Sequence, residues 1–248
     1  DRFSWDNYLD SLETKKIGII NVTNDSFSGD GTYVSHEKLL SKFEIAKKRN
    51  IKLLDVGCMS TKPKFQTIDT NEESKRLDFF LQNISEYHDY SIDSFNPSVI
   101  RKAIKNGFLI INDVTGLKED RLIKIAKEEK CGMIVMHKNP NSNYLHEKMH
   151  YKNIVEEVNS HLQRQIDNLV DKGINEKQIA IDPGFGFGKT MEDSAELFLG
   201  LENLIDTYPV IVGYSKKKFT ELIKMTNNEM EEFCLKSGVS MLRLHIDN

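Results

Sequence analysis

Short apolar runs alternate with longer stretches whose apolar residues recur three and four apart, and this alternation continues along the whole chain. The short runs are IGIINVT (17–23), KLLDVG (52–57), YSIDSF (90–95), FLIINDV (108–114), GMIVMHK (132–138), IAIDPG (179–184), PVIVGYS (209–215) and MLRLH (241–245). Between them lie stretches such as EKLLSKFEIAKKRN, PSVIRKAIKN, DRLIKIAKEEK and KNIVEEVNSHLQRQIDNLVDK, each with an apolar stripe of helical period. Near-continuous apolar strands are buried on both faces, as in a parallel sheet covered by helices. Eight such strands in 248 residues predict an α/β protein, a (β/α)8 TIM barrel formed by one domain over 1–248, with a doubly wound open sheet as the fallback.

The polar residues within this pattern are not scattered. Asn21, Asp55, Asp93, Asn112, His137, Asp182, Ser215 and the pair Arg243 and His245 each fall at or near the end of a different strand. Any one of them reads equally well as a turn residue or a helix cap. Eight in series predict a functional mouth, because a barrel brings its strand ends together. Carboxylates at Asp55, Asp93 and Asp182 with amides at Asn21 and Asn112 can accept N–H donors, which suits a flat heterocycle rich in ring nitrogens better than a sugar. Arg243 and His245, alternate residues of one strand, together with Asn21, suit an anion such as a phosphate or diphosphate. Taken alone, Arg243 reads equally well as a surface ion pair.

Composition narrows the picture by exclusion. The net charge of -4 arises from mixed signs along the chain, so no basic face for nucleic acid is visible. Cys58, Cys131 and Cys234 lack paired spacing and histidine companions, which argues against a zinc site or a disulfide framework and predicts a reducing, cytoplasmic setting. No apolar run has the length of a membrane span, and DRFSWDNYLD lacks a signal pattern. A Mg²⁺ held mostly by ligand phosphates, with Asn21 as its one protein oxygen, would leave little trace in a sequence.

The segment DPGFGFGKT (182–190) resembles a phosphate-binding loop, but three residues rather than four separate Gly184 from Gly188. Its glycines are expected to turn the backbone sharply after the sixth strand, with Asp182 and Phe187 facing the mouth and Lys189 in solvent.

Taken together, the segments resemble dihydropteroate synthase over nearly the whole chain. IGIINVTNDSFSGDG is similar to that family's first strand and loop, LLDVGCMSTKP to the second, and SIDSFNPSVIRKAIKNG with INDVTGL to the third and fourth strand ends. MIVMHK, AIDPGFGFGKT, VGYSKKK and MLRLHIDN are similar to the remaining four in order. The resemblance implies a transferase of folate biosynthesis that condenses 6-hydroxymethyl-7,8-dihydropterin diphosphate with 4-aminobenzoate. Asp93, Asn112, Asp182 and Lys217 match the family's pterin-binding set, and Met136 would pack against the ring or serve as plain core. Asn21, Arg243 and His245 match the diphosphate and Mg²⁺ side, with Asn21 as the metal residue. Thr61, Lys62, Pro63, Phe187 and Ser215 would frame the aminobenzoate. A homodimer is implied as well.

The chain departs from the family pattern at Asn24 and Gly29-Asp30 in the first loop, at Met59, and at Lys62 and Lys64 in the second loop. It also stops just past His245, where the family continues into an eighth helix. A chain that begins at Asp1 and ends there reads as one part of a longer polypeptide, such as a fusion with hydroxymethyldihydropterin pyrophosphokinase. Two rivals stand beside the synthase: a methyltransferase between tetrahydrofolate and a corrinoid, and a homologue that binds pterin without turnover.

Overall fold

The computed structural model describes residues 1–22, 32–59, 70–116, 120–204 and 206–246. Eight parallel strands form one sheet: β1 (Lys16–Asn21), β2 (Leu53–Gly57), β3 (Asp89–Asp93), β4 (Ile110–Asp113), β5 (Gly132–Met136), β6 (Ile179–Asp182), β7 (Ile211–Val212) and β8 (Met241–His245). The order is β6-β5-β4-β3-β2-β1-β8-β7, and a parallel bridge between Ile181 and Val210 joins the two ends and closes the barrel. All eight expected strands are present. The seventh is much shorter than the run 209–215, because only Ile211 and Val212 pair along β8 before Gly213.

An α-helix follows each of the first seven strands: α2 (Thr32–Lys48), α3 (Thr70–Gln82), α4 (Pro97–Lys105), α5 (Asp120–Glu129), α6 (Ile154–Asp171), α7 (Met191–Leu199) and α8 (Asn227–Lys236). Their starts are set by capping chemistry. Asn96 precedes Pro97 and accepts from the Ser98 amide, and Asn153, Thr190 and Thr226 cap α6, α7 and α8 in the same way. Their apolar stripes, such as Leu122, Ile125 and Ala126 of α5 and Val158, Leu162 and Ile166 of α6, bury against Val56, Ile92, Ile111, Val135 and Ile181 on the outer faces of the strands. No helix follows β8 among the described residues. On the outward side of β8, Leu242 is buried and Leu244 half-buried.

Inside the barrel the strand period of two places one layer per step. The lowest layer is apolar: Ile17, Leu53, Ile110, Ile134, Ala180, Ile211 and Met241 pack together, one from each strand except β3. Trp5, in an N-terminal helix α1 (Trp5–Asp10), plugs this layer from below. Its indole N–H lies 3.2 Å from the Met133 carbonyl and 3.0 Å from that of Gln178. On β3 the matching position is Asp89, which accepts a hydrogen bond from the Tyr8 hydroxyl at 2.9 Å. The next inward positions are polar on five strands, Asp55, Ser91, Asn112, Asp182 and Arg243, while Ile19 and Met136 keep β1 and β5 apolar.

Candidate active site

Asp55 is the hub of the mouth. It is 1% exposed and accepts three hydrogen bonds: from Ser91 Oγ at 2.7 Å, from Asn112 Nδ2 at 2.9 Å and from Arg243 NH2 at 2.8 Å. A buried carboxylate needs such donors to remain ionised, and an Arg partner supplies charge as well. Because a carboxylate only accepts, the Asn112 amide must turn its nitrogen to Asp55, which keeps its oxygen out of that contact. That Oδ1 is buried and has no partner among the described residues.

Asp93, at the end of β3, stands across Gly57 from Asn21. A Cβ built on Gly57 would lie 3.4 Å from Asn21 Oδ1 and 3.7 Å from Asp93 Oδ2, so both side chains reach over this glycine. Burial, and then the nearby Asp55 charge, push the Asp93 carboxyl up to about 7, with Arg243 working in the opposite direction. Behind it, Glu73 of α3 is buried and accepts from Ser94 Oγ at 2.8 Å; burial raises its carboxyl too.

Asp182 ends β6 and opens the glycine turn. Its Oδ1 accepts from the Gly184 amide at 2.8 Å, and its Oδ2 lies 3.8 Å from Arg243 NH1. Arg243 thus spans two carboxylates. Burial opposes its charge, but Asp55, Asp182 and Asp93 hold its ionisation above the ordinary value. Lys217 reaches the same region from the loop after β7, donating to the Phe185 carbonyl at 2.7 Å with its Nζ 4.9 Å from the Phe187 ring centre. Burial lowers it to about 8, against the pull of Asp182.

The remaining expected residues fall as follows. Phe187 is half-buried and stacks on His146 with ring centres 5.4 Å apart. Ser215 and His245 meet through Ser215 Oγ and His245 Nδ1 at 3.0 Å. Met136 is buried beside Asp182 in the β5–β6 register. Asn21 is exposed at the rim. Thr61, Lys62, Pro63 and Lys64 lie outside the described residues, as do Asn24, Asp25, Gly29 and Asp30. No group of three or more His, Cys, Asp or Glu side chains suited to a metal occurs among the described residues.

One expectation is overturned. Lys189 is not in solvent: it is 4% exposed, and its Nζ donates to the carbonyls of Gly184 at 3.0 Å and Phe187 at 3.2 Å. The three glycines of the turn have φ of 72°, 80° and 65°, a left-handed run that folds the segment back over its own lysine. Thr190 does not serve a phosphate either, since its hydroxyl caps α7 by accepting from the Asp193 amide at 3.1 Å. Asp55, expected among the mouth carboxylates, is their hub, whereas Ser91 beneath it and the contact between His137 and His161, whose facing nitrogens are 2.9 Å apart, have no counterpart in the expected site. The period-two spacing of Asp55 from Leu53 and Gly57 was the available signal for an inward position. Nothing local marks His161, which comes from α6.

Comparison with known proteins places this geometry. Residues 17–245 match the family described as pterin binding enzyme. The chain is 30% identical over 243 residues to dihydropteroate synthase of Streptococcus pyogenes, covering 92% of this chain and 89% of that one. With the dihydropteroate synthase of Bacillus subtilis it shares 31% identity over 250 residues, covering 94% and 84%. Among solved structures, Xanthomonas albilineans dihydropteroate synthase with 4-aminobenzoic acid superposes with a TM-score of 0.82 at 29% identity, covering 95% of this chain and 88% of that one. The Anaplasma phagocytophilum dihydropteroate synthase, with bound 6-hydroxymethylpterin-monophosphate, gives 0.76 at 26% identity, covering 94% and 93%. The chain belongs to the pterin-binding enzyme family, in its dihydropteroate synthase branch.

Proposed function

We propose that the barrel mouth joins 4-aminobenzoate to 6-hydroxymethyl-7,8-dihydropterin diphosphate, forming 7,8-dihydropteroate and diphosphate. The bond between the 6-methylene carbon and the bridging oxygen breaks, its electron pair leaving with the diphosphate. The lone pair of the aryl amine forms the new C–N bond, and the nitrogen releases a proton to water. The observation that carries this reading is the acceptor set around Asn112: a buried Oδ1 without a partner among the described residues, whose own nitrogen is committed to Asp55. With Asp93 and Asp182, it offers oxygens to the ring N–H groups of a pterin.

Asp93 and Asp182 also stabilise positive charge on the ring as the leaving group departs, and fixed charges aimed at the transition state carry much of the rate. Arg243 and His245 supply the cationic side that receives the diphosphate, while Lys217 belongs with the ring contacts. Arg243 is already oriented by Asp55 and Asp182, so little reorganisation is needed when the anion arrives. Phe187 and Ser215 border the aminobenzoate, and the family resemblance assigns Thr61, Lys62 and Pro63, which lie outside the described residues, to the same substrate.

The donor set fits a hard divalent cation only as a minor ligand. Asn21 offers a single amide oxygen at an exposed rim, which suits a Mg²⁺ whose other ligands are phosphate oxygens and water. When bound, such an ion neutralises charge on the departing diphosphate.

The test is incubation of the protein with the dihydropterin diphosphate, Mg²⁺ and labelled 4-aminobenzoate. Labelled dihydropteroate above a protein-free blank supports the synthase. Pterin binding without product defeats it in favour of a homologue that binds without turnover.

A further inference from the structure

The turn from Asp182 to Thr190 encloses a cation that neither the ring contacts nor the anion contacts use. Lys189 is held by the Gly184 and Phe187 carbonyls, and the Gly184 carbonyl also accepts from the Phe187 amide at 3.2 Å. The two carbonyls are thereby drawn to one point, and Phe187 itself is half-buried, with its ring against His146 and Lys217. The turn is also held by Asp182 Oδ1 on the Gly184 amide, by Ser194 Oγ on the Gly186 amide, by Lys217 on the Phe185 carbonyl and by the Met149 amide on the Gly188 carbonyl, and to these Lys189 adds the link between the Gly184 and Phe187 carbonyls. Gly184, Gly186 and Gly188 bring no side chains, and glycine is the residue that loses most conformational freedom on ordering.

Burying an ammonium is costly unless it is compensated, and a methionine would fill similar space without that cost. Burial pushes Lys189 down to about 7. The charged groups facing it are Asp182 and Asp193, which favour its protonation, and Lys217, which opposes it. His137 feels its charge from β5 and, with burial as the larger cause, is held well below the ordinary histidine value. A cation retained at such a position acts through what it holds. On one side it holds the carbonyl next to the Asp182 turn, and on the other the carbonyl of the residue whose ring lies against Lys217 and His146.

We propose that Lys189 is a positioning residue: its ammonium staples the Gly184 and Phe187 carbonyls together and so fixes the Phe187 ring where it borders the aromatic amine substrate. The identity of that substrate rests on the function proposed above, whereas the staple itself does not.

The test uses the full chain and Lys189→Met. Amide exchange across 183–190 is expected to quicken about tenfold while β5 and β6 keep their protection, and KM for 4-aminobenzoate to rise about tenfold with KM for the dihydropterin diphosphate changed less than about threefold. Lys189→Arg, which keeps charge and donors, is expected to recover most of both effects. A merely structural lysine predicts a lower melting temperature with both KM values moving together, and that result overturns the proposal. Unchanged exchange in 183–190 overturns it as well. Should Lys189→Met not fold, Lys189→Gln is read by the same exchange and KM criteria. A wild-type protein that makes no dihydropteroate defeats the functional reading alone, and the exchange comparison then decides the staple.

Discussion

Asp55 and Arg243 meet at 2.8 Å across β1, the strand that separates β2 from β8. The pair therefore ties the start of the barrel to its last strand, with Asp55 1% and Arg243 14% exposed in their side chains. Removing one member of a buried, hydrogen-bonded ion pair leaves the other charge without its partner, at a cost of about 3–5 kcal/mol. Asp55→Ala is expected to lose stability in that range, toward its lower end because Arg243 retains Asp182 at 3.8 Å. Urea denaturation monitored by circular dichroism measures it. A loss below about 1 kcal/mol would mean that the pair behaves like an ordinary surface bridge.

The raised Asp93 carboxyl predicts how pterin binding depends on pH. Its ordinary value is 3.8 and its value in the free protein about 7, so below 7 the protonated form dominates. Ring N–H donors need the carboxylate, so binding lowers the Asp93 pKa and expels a proton. Affinity is then full above pH 7 and falls as pH drops through it, by up to about tenfold per unit until the pKa of the complex is reached. Calorimetric titration with 6-hydroxymethylpterin removes phosphate titration from the measurement, and the ligand's own ring N–H titration, followed by absorbance, is subtracted. A flat affinity between pH 5.5 and 8, as about four buffers across the range would show, would sink the assignment of Asp93 as ring acceptor.

The barrel was legible in the chain because two periods carry it. Runs such as KLLDVG and GMIVMHK are apolar on both faces, and helices such as PSVIRKAIKN show one stripe. Asp93, Asn112 and Asp182 were legible for a related reason, since a polar residue ending an apolar strand must face either a turn or the mouth. Partners were not legible. That Asp55 takes Ser91, Asn112 and Arg243 depends on the barrel, which brings Arg243 to it across 188 positions. Trp5 lies outside any period, and its role follows only from the carbonyls of Met133 and Gln178 that it finds beneath the barrel. Lys189 misled because a lysine beside glycines in a polar segment ordinarily lies in water, and only the left-handed run at Gly184, Gly186 and Gly188 turns the chain back over it.

Asn112 offers the sharpest separation of ring binding from scaffold. Its nitrogen serves Asp55 and its oxygen has no partner among the described residues, so two substitutions test whether that oxygen serves the ring. Asn112→Leu removes both, leaving Asp55 with Ser91 and Arg243 while the pterin N–H has no acceptor there. An unmet buried donor costs about 1–3 kcal/mol, which corresponds to roughly 5- to 150-fold weaker binding of 6-hydroxymethylpterin. Asn112→Asp restores an acceptor but places another carboxylate against Asp55, close to Asp93. Repulsion among them should raise the Asp93 pKa further and move the pH at which affinity falls upward from 7. Measuring affinity for both variants at pH 8 and at pH 6 tests the pair. Asn112→Leu binding as tightly as the wild type would show that the Oδ1 faces no ring donor. An Asn112→Asp curve that falls at the same pH as the wild type would show that Asp93 does not share its field with that position.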